Sequence, residues 1–205
     1  MKRLTASKAY KLLIEDVIIE DNDFKKSENR WILHCIYTAI ASKRIAERLN
    51  IDSDYAMALG YIHDIGRKIS HPKHTIEGYK YMKSKGYDEE SRICLTHSFI
   101  DNDITLSAGG TPNKSEIYEF CSETGFTTIE NRLLDISKRK GIYNNSLNHF
   151  NRVIELKERL EIQMGCNLYD LFPEIKKEDK DKIDLEYEKL IDMLKQPQKT
   201  IGIIK

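Results

Sequence analysis

Apolar residues recur at mostly helical spacing along this 205-residue chain, and only four prolines and ten glycines interrupt them. That pattern commits the chain to helices. No run alternates as a strand would, and no internal repeat is visible. Residues 7–20 read as an amphipathic helix, and a longer one runs from about Trp31 to Leu49, with Ile32, Ile36, Ala39, Ala46 and Leu49 on one face. Ser53 or Asp54 caps the next helix, where Ala56 and Gly60 leave room for a close neighbour before Gly66 ends it as a C′ residue. "HPKHTIEGYKYMKSKG" gives a short helix after Pro72, stopped by Gly86, and Asp88 caps the helix carrying "EESRICLTHSF". Residues 101–113 are a loop. Helices follow at about 115–122, at 128–140, through "NSLNHFNRVIELKERLEIQMG" to Gly165, and at about 179–195. The expected architecture is all-α: an N-terminal helix over 1–29 packed on a helical domain at 30–173, then a charged C-terminal helix and tail over 174–205.

Composition narrows the function classes. With 40% apolar residues the chain is globular, and 33 basic residues balance 33 acidic ones. No global field therefore attracts a nucleic-acid polymer or an acidic membrane. The N-terminus lacks the apolar core of a secretory signal, and no stretch approaches the ~18 apolar residues of a membrane span. Cys35, Cys94, Cys121 and Cys166 form no C-x-x-C pair and read as reduced core thiols. The expectation is a soluble, cytoplasmic domain.

"GYIHDIGRK", residues 60–68, sets a histidine and an aspartate side by side at a helix end. Five of the six histidines fall between residues 34 and 97. Singly, each candidate has a plain explanation. His34 suits a helix core, Asp64 has Lys68 four residues on, and Asp135 lies between Arg132 and Arg139 at helical spacing. Yet "RLLDIS" places Asp135 among Leu133, Leu134 and Ile136, where a carboxylate is costly to bury unless a cation meets it. Neutral imidazoles and carboxylates together suit a divalent ion, and bundles build such sites from side chains on facing helices. Adjacent helix positions are about 100° apart, so His63 and Asp64 can share a site only along their common edge.

The order His34, then His63–Asp64 within "HDIG", then Asp135 resembles the HD-domain superfamily of metal-dependent phosphohydrolases. "HTIEG" at 74–78 and "LTHS" at 95–98 resemble the two extra histidines of its binuclear branch, which includes bacterial hydrolases of diadenosine tetraphosphate and of cyclic dinucleotides. The resemblance spans about residues 30–140. It implies a single HD-domain helical bundle with a trailing C-terminal helical segment, and one or two divalent ions (Fe, Mn, Zn, Co or Mg). His34, His63, Asp64 and Asp135 would hold the first ion, and Asp64 would bridge to a second on His74 and His97. His71 competes with His74, but the glycine four positions after His74 fits the family pattern. His149 lies outside it, and the "GYP" of cyclic-di-GMP hydrolases is absent.

The resemblance implies hydrolysis of a phosphate ester or phosphoanhydride of a nucleotide or dinucleotide by a metal-activated hydroxide. Asp64, Arg67 and Lys68 are the catalytic candidates. Arg30, Arg67, Lys68 and Arg139 are candidates for holding phosphate oxygens. Asp101 and Asp103 either line the entrance or are plain turn residues, and the turn reading is favoured. Two other classes stay open: an HD-domain di-iron oxygenase, and a non-catalytic nucleotide-binding protein. The helix over 176–195 packs on the domain or forms a homodimer contact.

Overall fold

The structure is a computed structural model that describes residues 3–15, 30–97, 121–122, 125–142, 145–175 and 177–195. It is a helical bundle. Its elements are α1 (Ala6–Ile14), α2 (Arg30–Arg48), α3 (Ser53–Ile62), α4 (His74–Ser84), α5 (Arg92–Thr96), α6 (Ile129–Lys140), α7 (Ser146–Met164) and α8 (Lys177–Lys195). A minimal hairpin, β1 (Cys121–Ser122) with β2 (Gly125–Phe126), is the exception to the all-helical expectation. It takes the last two residues of the helix expected at 115–122. Gly125 has φ 132°, a backbone conformation open to glycine and closed to most other residues. The rest of that expected helix, the loop at 101–113 with Asp101 and Asp103, and residues 16–20 of the first expected helix lie outside the described residues.

α2 is the spine, because two of its faces are apolar. Trp31, Ile32, Cys35 and Ala39 meet Leu12 and Leu13 of α1, Ile62 of α3, Met82 of α4 and Cys94 of α5 in one core. Ala41 and Ile45 meet Leu133 of α6, Phe150 and Val153 of α7, and Leu168 and Phe172 in a second. α8 lays Leu190 into that second core, with Ile183, Tyr187, Ile191 and Leu194 packed beside it. The trailing helix therefore packs on the domain. Among the described residues no helix is long and apolar enough to cross a membrane.

Local chemistry corrects three helix boundaries. Asp52 rather than Ser53 or Asp54 caps α3, accepting from the Tyr55 N–H at 2.9 Å. Asp54 instead accepts from the Ala6 N–H at 3.2 Å and ties α1 to α3. α5 begins at Arg92, and Asp88 offers its carbonyl to Ser91 Oγ at 2.6 Å rather than a side-chain cap. Gly66 is not a C′ residue at positive φ. It sits inside a 3₁₀ turn over Ile65–Lys68, and a Cβ there would meet the His74 carbonyl oxygen at 1.9 Å and the Gly78 nitrogen at 2.3 Å. The glycine is needed for contact, and that contact sets α4 against the end of α3. Gly60 does the same between α3 and α2, since a Cβ on it would lie 2.5 Å from Ala39 Cα.

Candidate metal centre

The close α2–α3 crossing at Ala39 and Gly60 brings His63 to His34. Their Nε2 atoms are 3.1 Å apart, and the rings stand nearly edge to face at 78°. The turn after α3 directs the Asp64 carboxylate sideways, where the Gly66–Gly78 contact has brought α4. Asp64 Oδ1 lies 3.2 Å from His74 Nε2 and 3.1 Å from His97 Nε2, and those two nitrogens are 3.2 Å apart. Asp64 Oδ2 lies 3.9 Å from His63 Nε2. Two sets of donor atoms result, His34–His63–Asp64 and Asp64–His74–His97, and Asp64 is common to both.

Protons decide what these sets can hold. His63 Nδ1 is 2.7 Å from the Gly60 carbonyl, His74 Nδ1 is 2.8 Å from that of His71, and His97 Nδ1 is 3.0 Å from that of Cys94. A carbonyl can only accept, so each Nδ1 carries the hydrogen and each neutral ring presents a bare Nε2 lone pair. Burial favours the neutral form of His34, His63 and His74. It drives the pKa of His63 well below its ordinary value and that of His34 down to about 4, against the raising effect of Asp64. Burial opposes charge on Asp64 too, yet the carboxyl is held well below the usual carboxylate range, with the Arg67 guanidinium against its Oδ2. Asp64 Oδ1 is buried and has no hydrogen-bond partner among the described residues. An anionic oxygen and the Nε2 atoms of His63, His74 and His97 thus face one another, an arrangement suited to a cation. Donors bound at about 2.0–2.1 Å around one ion sit roughly 2.9–3.4 Å apart for octahedral to tetrahedral angles, which the 3.1–3.2 Å spacings around Asp64 Oδ1 match. The residues fit a divalent metal.

The other expected residues divide. His74 meets Asp64, whereas His71 gives its carbonyl to His74 and takes Arg67 Nη1 on its Nδ1 at 3.3 Å. His71→Ala is therefore expected to leave metal content near normal, and His74→Ala to empty the second set; elemental analysis of both variants would reverse the choice if the losses were exchanged. Arg67 is at the site, its Nε 2.5 Å from Asp64 Oδ2. Lys68 is a correction. It donates to the Leu12 carbonyl at 2.6 Å and to that of Glu15, so it caps the C-terminus of α1, where cations are favoured. Asp135 is brought to neither set. Its carboxylate is 45% exposed and takes Arg132 Nη1 at 3.0 Å, Arg139 Nε at 3.0 Å and Arg139 Nη2 at 2.5 Å. Arginines three residues before it and four after supply the cation that its apolar neighbours demanded. Arg139 is thereby committed to Asp135, and Arg30 stands exposed at the start of α2. Arg132, which sequence reasoning treated only as a partner of Asp135, acts electrostatically on His34. Its one-turn offset from Asp135 was the available signal.

Removing metal exposes the protonation balance. The unfolded chain binds protons at histidine below about pH 6.5, while native His34 stays neutral to about pH 4, so stability falls with pH across that window. His63 acts in the same direction, and the Asp64 contribution is lost only below its ordinary value of 3.8. Chelated protein is expected to show a lower urea midpoint at pH 5 than at pH 7.5.

The HD-domain family model matches residues 31–110, which contain His34, His63, Asp64, His74 and His97. No curated protein and no solved structure matches the chain. HD domains are typical of metal-dependent hydrolases, and the bare donor sets carried by residues 34–97 are the feature such a domain needs. Over residues 31–110 the chain is similar to the HD-domain family.

Proposed function

We propose that this protein is a metal-dependent phosphohydrolase that cleaves a phosphate ester or phosphoanhydride of a nucleotide or dinucleotide. The observation that carries the reading is the convergence of proton-free donors on Asp64, with Nε2 of His74 and His97 at 3.2 and 3.1 Å from one oxygen. His34, His63 and Asp64 would hold one divalent ion, and Asp64, His74 and His97 a second. Ions there supply an acidified water and draw charge from phosphoryl oxygens.

The chain's own residues then have defined tasks. The Gly60, His71 and Cys94 carbonyls hold three imidazoles in the tautomer that leaves Nε2 bare. Arg67 fixes the Asp64 carboxylate through Oδ2 and is 30% exposed, so its remaining donors favour an anionic substrate at the mouth of the site. Lys68 has no part in this, since α1 uses it.

Protein purified without chelator or nickel should carry close to two metal equivalents by elemental analysis. With added manganese it should release phosphate from at least one member of a nucleotide and dinucleotide panel. Oxygen uptake with ferrous iron, without phosphate release, would replace the hydrolase with the oxygenase. Nucleotide binding with metal retained but no turnover of any panel member would make it a binding protein.

A further inference from the structure

The two donor sets that share Asp64 are not equally ready for an ion. In the set of Asp64, His74 and His97 all three donor pairs are 3.1–3.2 Å apart. Those spacings already match the roughly 2.9–3.4 Å between neighbouring donors of one bound ion. In the set of His34, His63 and Asp64 the two imidazole nitrogens are 3.1 Å apart, but Asp64 Oδ2 stands 3.9 Å from His63 Nε2. That edge must close by about 0.5 Å, the difference between 3.9 and 3.4 Å, before its ends can serve as neighbouring donors.

The two oxygens of the shared carboxylate differ as well. Oδ1, turned to His74 and His97, is buried and takes no hydrogen bond among the described residues. Oδ2, turned to His63, accepts from the Arg67 Nε–H at 2.5 Å. Moving Oδ2 toward His63 stretches that bond, and the guanidinium repels a cation arriving on its side of the carboxylate. The imidazoles divide in the same way. His74 and His97 each donate Nδ1–H to a carbonyl, at 2.8 and 3.0 Å, which fixes the ring and its tautomer. In the other set His63 has such a support at 2.7 Å, whereas no carbonyl takes His34 Nδ1 among the described residues. Asp135, the further anion that the resemblance assigns there, is held by Arg132 and Arg139.

We propose that Asp64, His74 and His97 form the tight, resident metal site, and that His34, His63 and Asp64 form a weaker site whose ion exchanges with the surroundings. The inference rests on the metal-dependent reading above and puts the resident ion on the set that the resemblance gives to the second. Loss of one outer support of a ligand costs about 10- to 100-fold in metal affinity, so the sets should differ by at least about tenfold. Divalent ion in solution then sets how much of the protein carries both ions, and with it the fraction ready for turnover.

Full-length protein purified with its metal is dialysed to equilibrium against graded nitrilotriacetate, and the ions left per chain are counted by elemental analysis. Two ions on one carboxylate repel and leave in two steps whichever set is tighter, so the ranking is read from variants that keep one set each. The ion kept by His34→Ala should bind at least about tenfold tighter than any ion kept by His74→Ala. Circular dichroism checks that each variant folds, and His34→Gln and His97→Ala repeat the two arms should an alanine variant fail. Equal affinities, or a tighter ion in His74→Ala, overturn the ranking and leave the metal-dependent reading standing. So does loss of all metal from both variants, which would mean that neither set holds an ion alone. A single ion in the unaltered protein, kept by His34→Ala and lost from His74→Ala, supports the ranking. Absence of metal from the unaltered protein overturns the metal-dependent reading and the ranking together.

Discussion

Asp64→Ala is expected to empty both ligand sets at once and, on the hydrolase proposed above, to abolish turnover. Asp64 alone belongs to both sets, with Oδ1 facing His74 and His97 and Oδ2 facing His63 and Arg67. It is also the only anion among them, so its loss leaves neutral imidazoles beside the positive Arg67. Removing an outer partner of a metal ligand costs about 10- to 100-fold in affinity, and removing the shared ligand should exceed that at both sets. The expected result is less than about a tenth of the normal metal content, with activity down at least ~1,000-fold. Asp64→Asn separates charge from shape and should behave nearly as badly. His34→Ala should take only the His34–His63–Asp64 set and keep about one equivalent. Retention of most of the metal by Asp64→Ala would show that the ions bind elsewhere.

Gly66→Ala has the largest expected effect on the fold itself. The added methyl would lie 1.9 Å from the His74 carbonyl oxygen and 2.8 Å from Gly78 Cα, both backbone atoms that no rotamer change can move. Forced overpacking of this kind costs about 3 kcal/mol, which for a chain of this size lowers Tm by roughly 6–12 °C. Because the strain pushes α4 from the end of α3, His74 should part from Asp64 and the second set should fail before the first. Gly86→Ala is the control. Gly86 also tolerates substitution poorly, at φ +83°, but no described residue lies within 4 Å of its added Cβ, so stability should fall without loss of metal. Thermal melts and metal analysis of both variants test the pair. Equal metal content in the two would mean that the Gly66 contact does not position His74.

The small residues that carry this effect were visible in the sequence, but their reasons were not. Gly60 was expected to admit a close neighbour, and Ala39 is that neighbour. Gly66 read as a helix stop because glycine after a helix usually serves one; its actual role depends on backbone eight to twelve residues further along. The hairpin at Cys121–Phe126 was missed because four paired residues are too few to show an alternating pattern.

What the sequence determined alone was local or chemical. Helical period and scarce breakers fix where helices run, since an i to i+4 bond needs only its own segment. Imidazole and carboxylate identity fixes what kind of ion the ordered histidines and Asp64 can accept. Tertiary structure decided how neighbouring candidates divide. His74 and not His71 meets Asp64, and Arg67 pairs with it while Lys68 caps α1. Asp135 stays with Arg132 and Arg139. These choices turn on the direction of a side chain, and one residue's shift at a helix end swings that direction by about 100°. Only the packing of α1, α3 and α4 around the "HDIGRK" turn says which direction each residue takes.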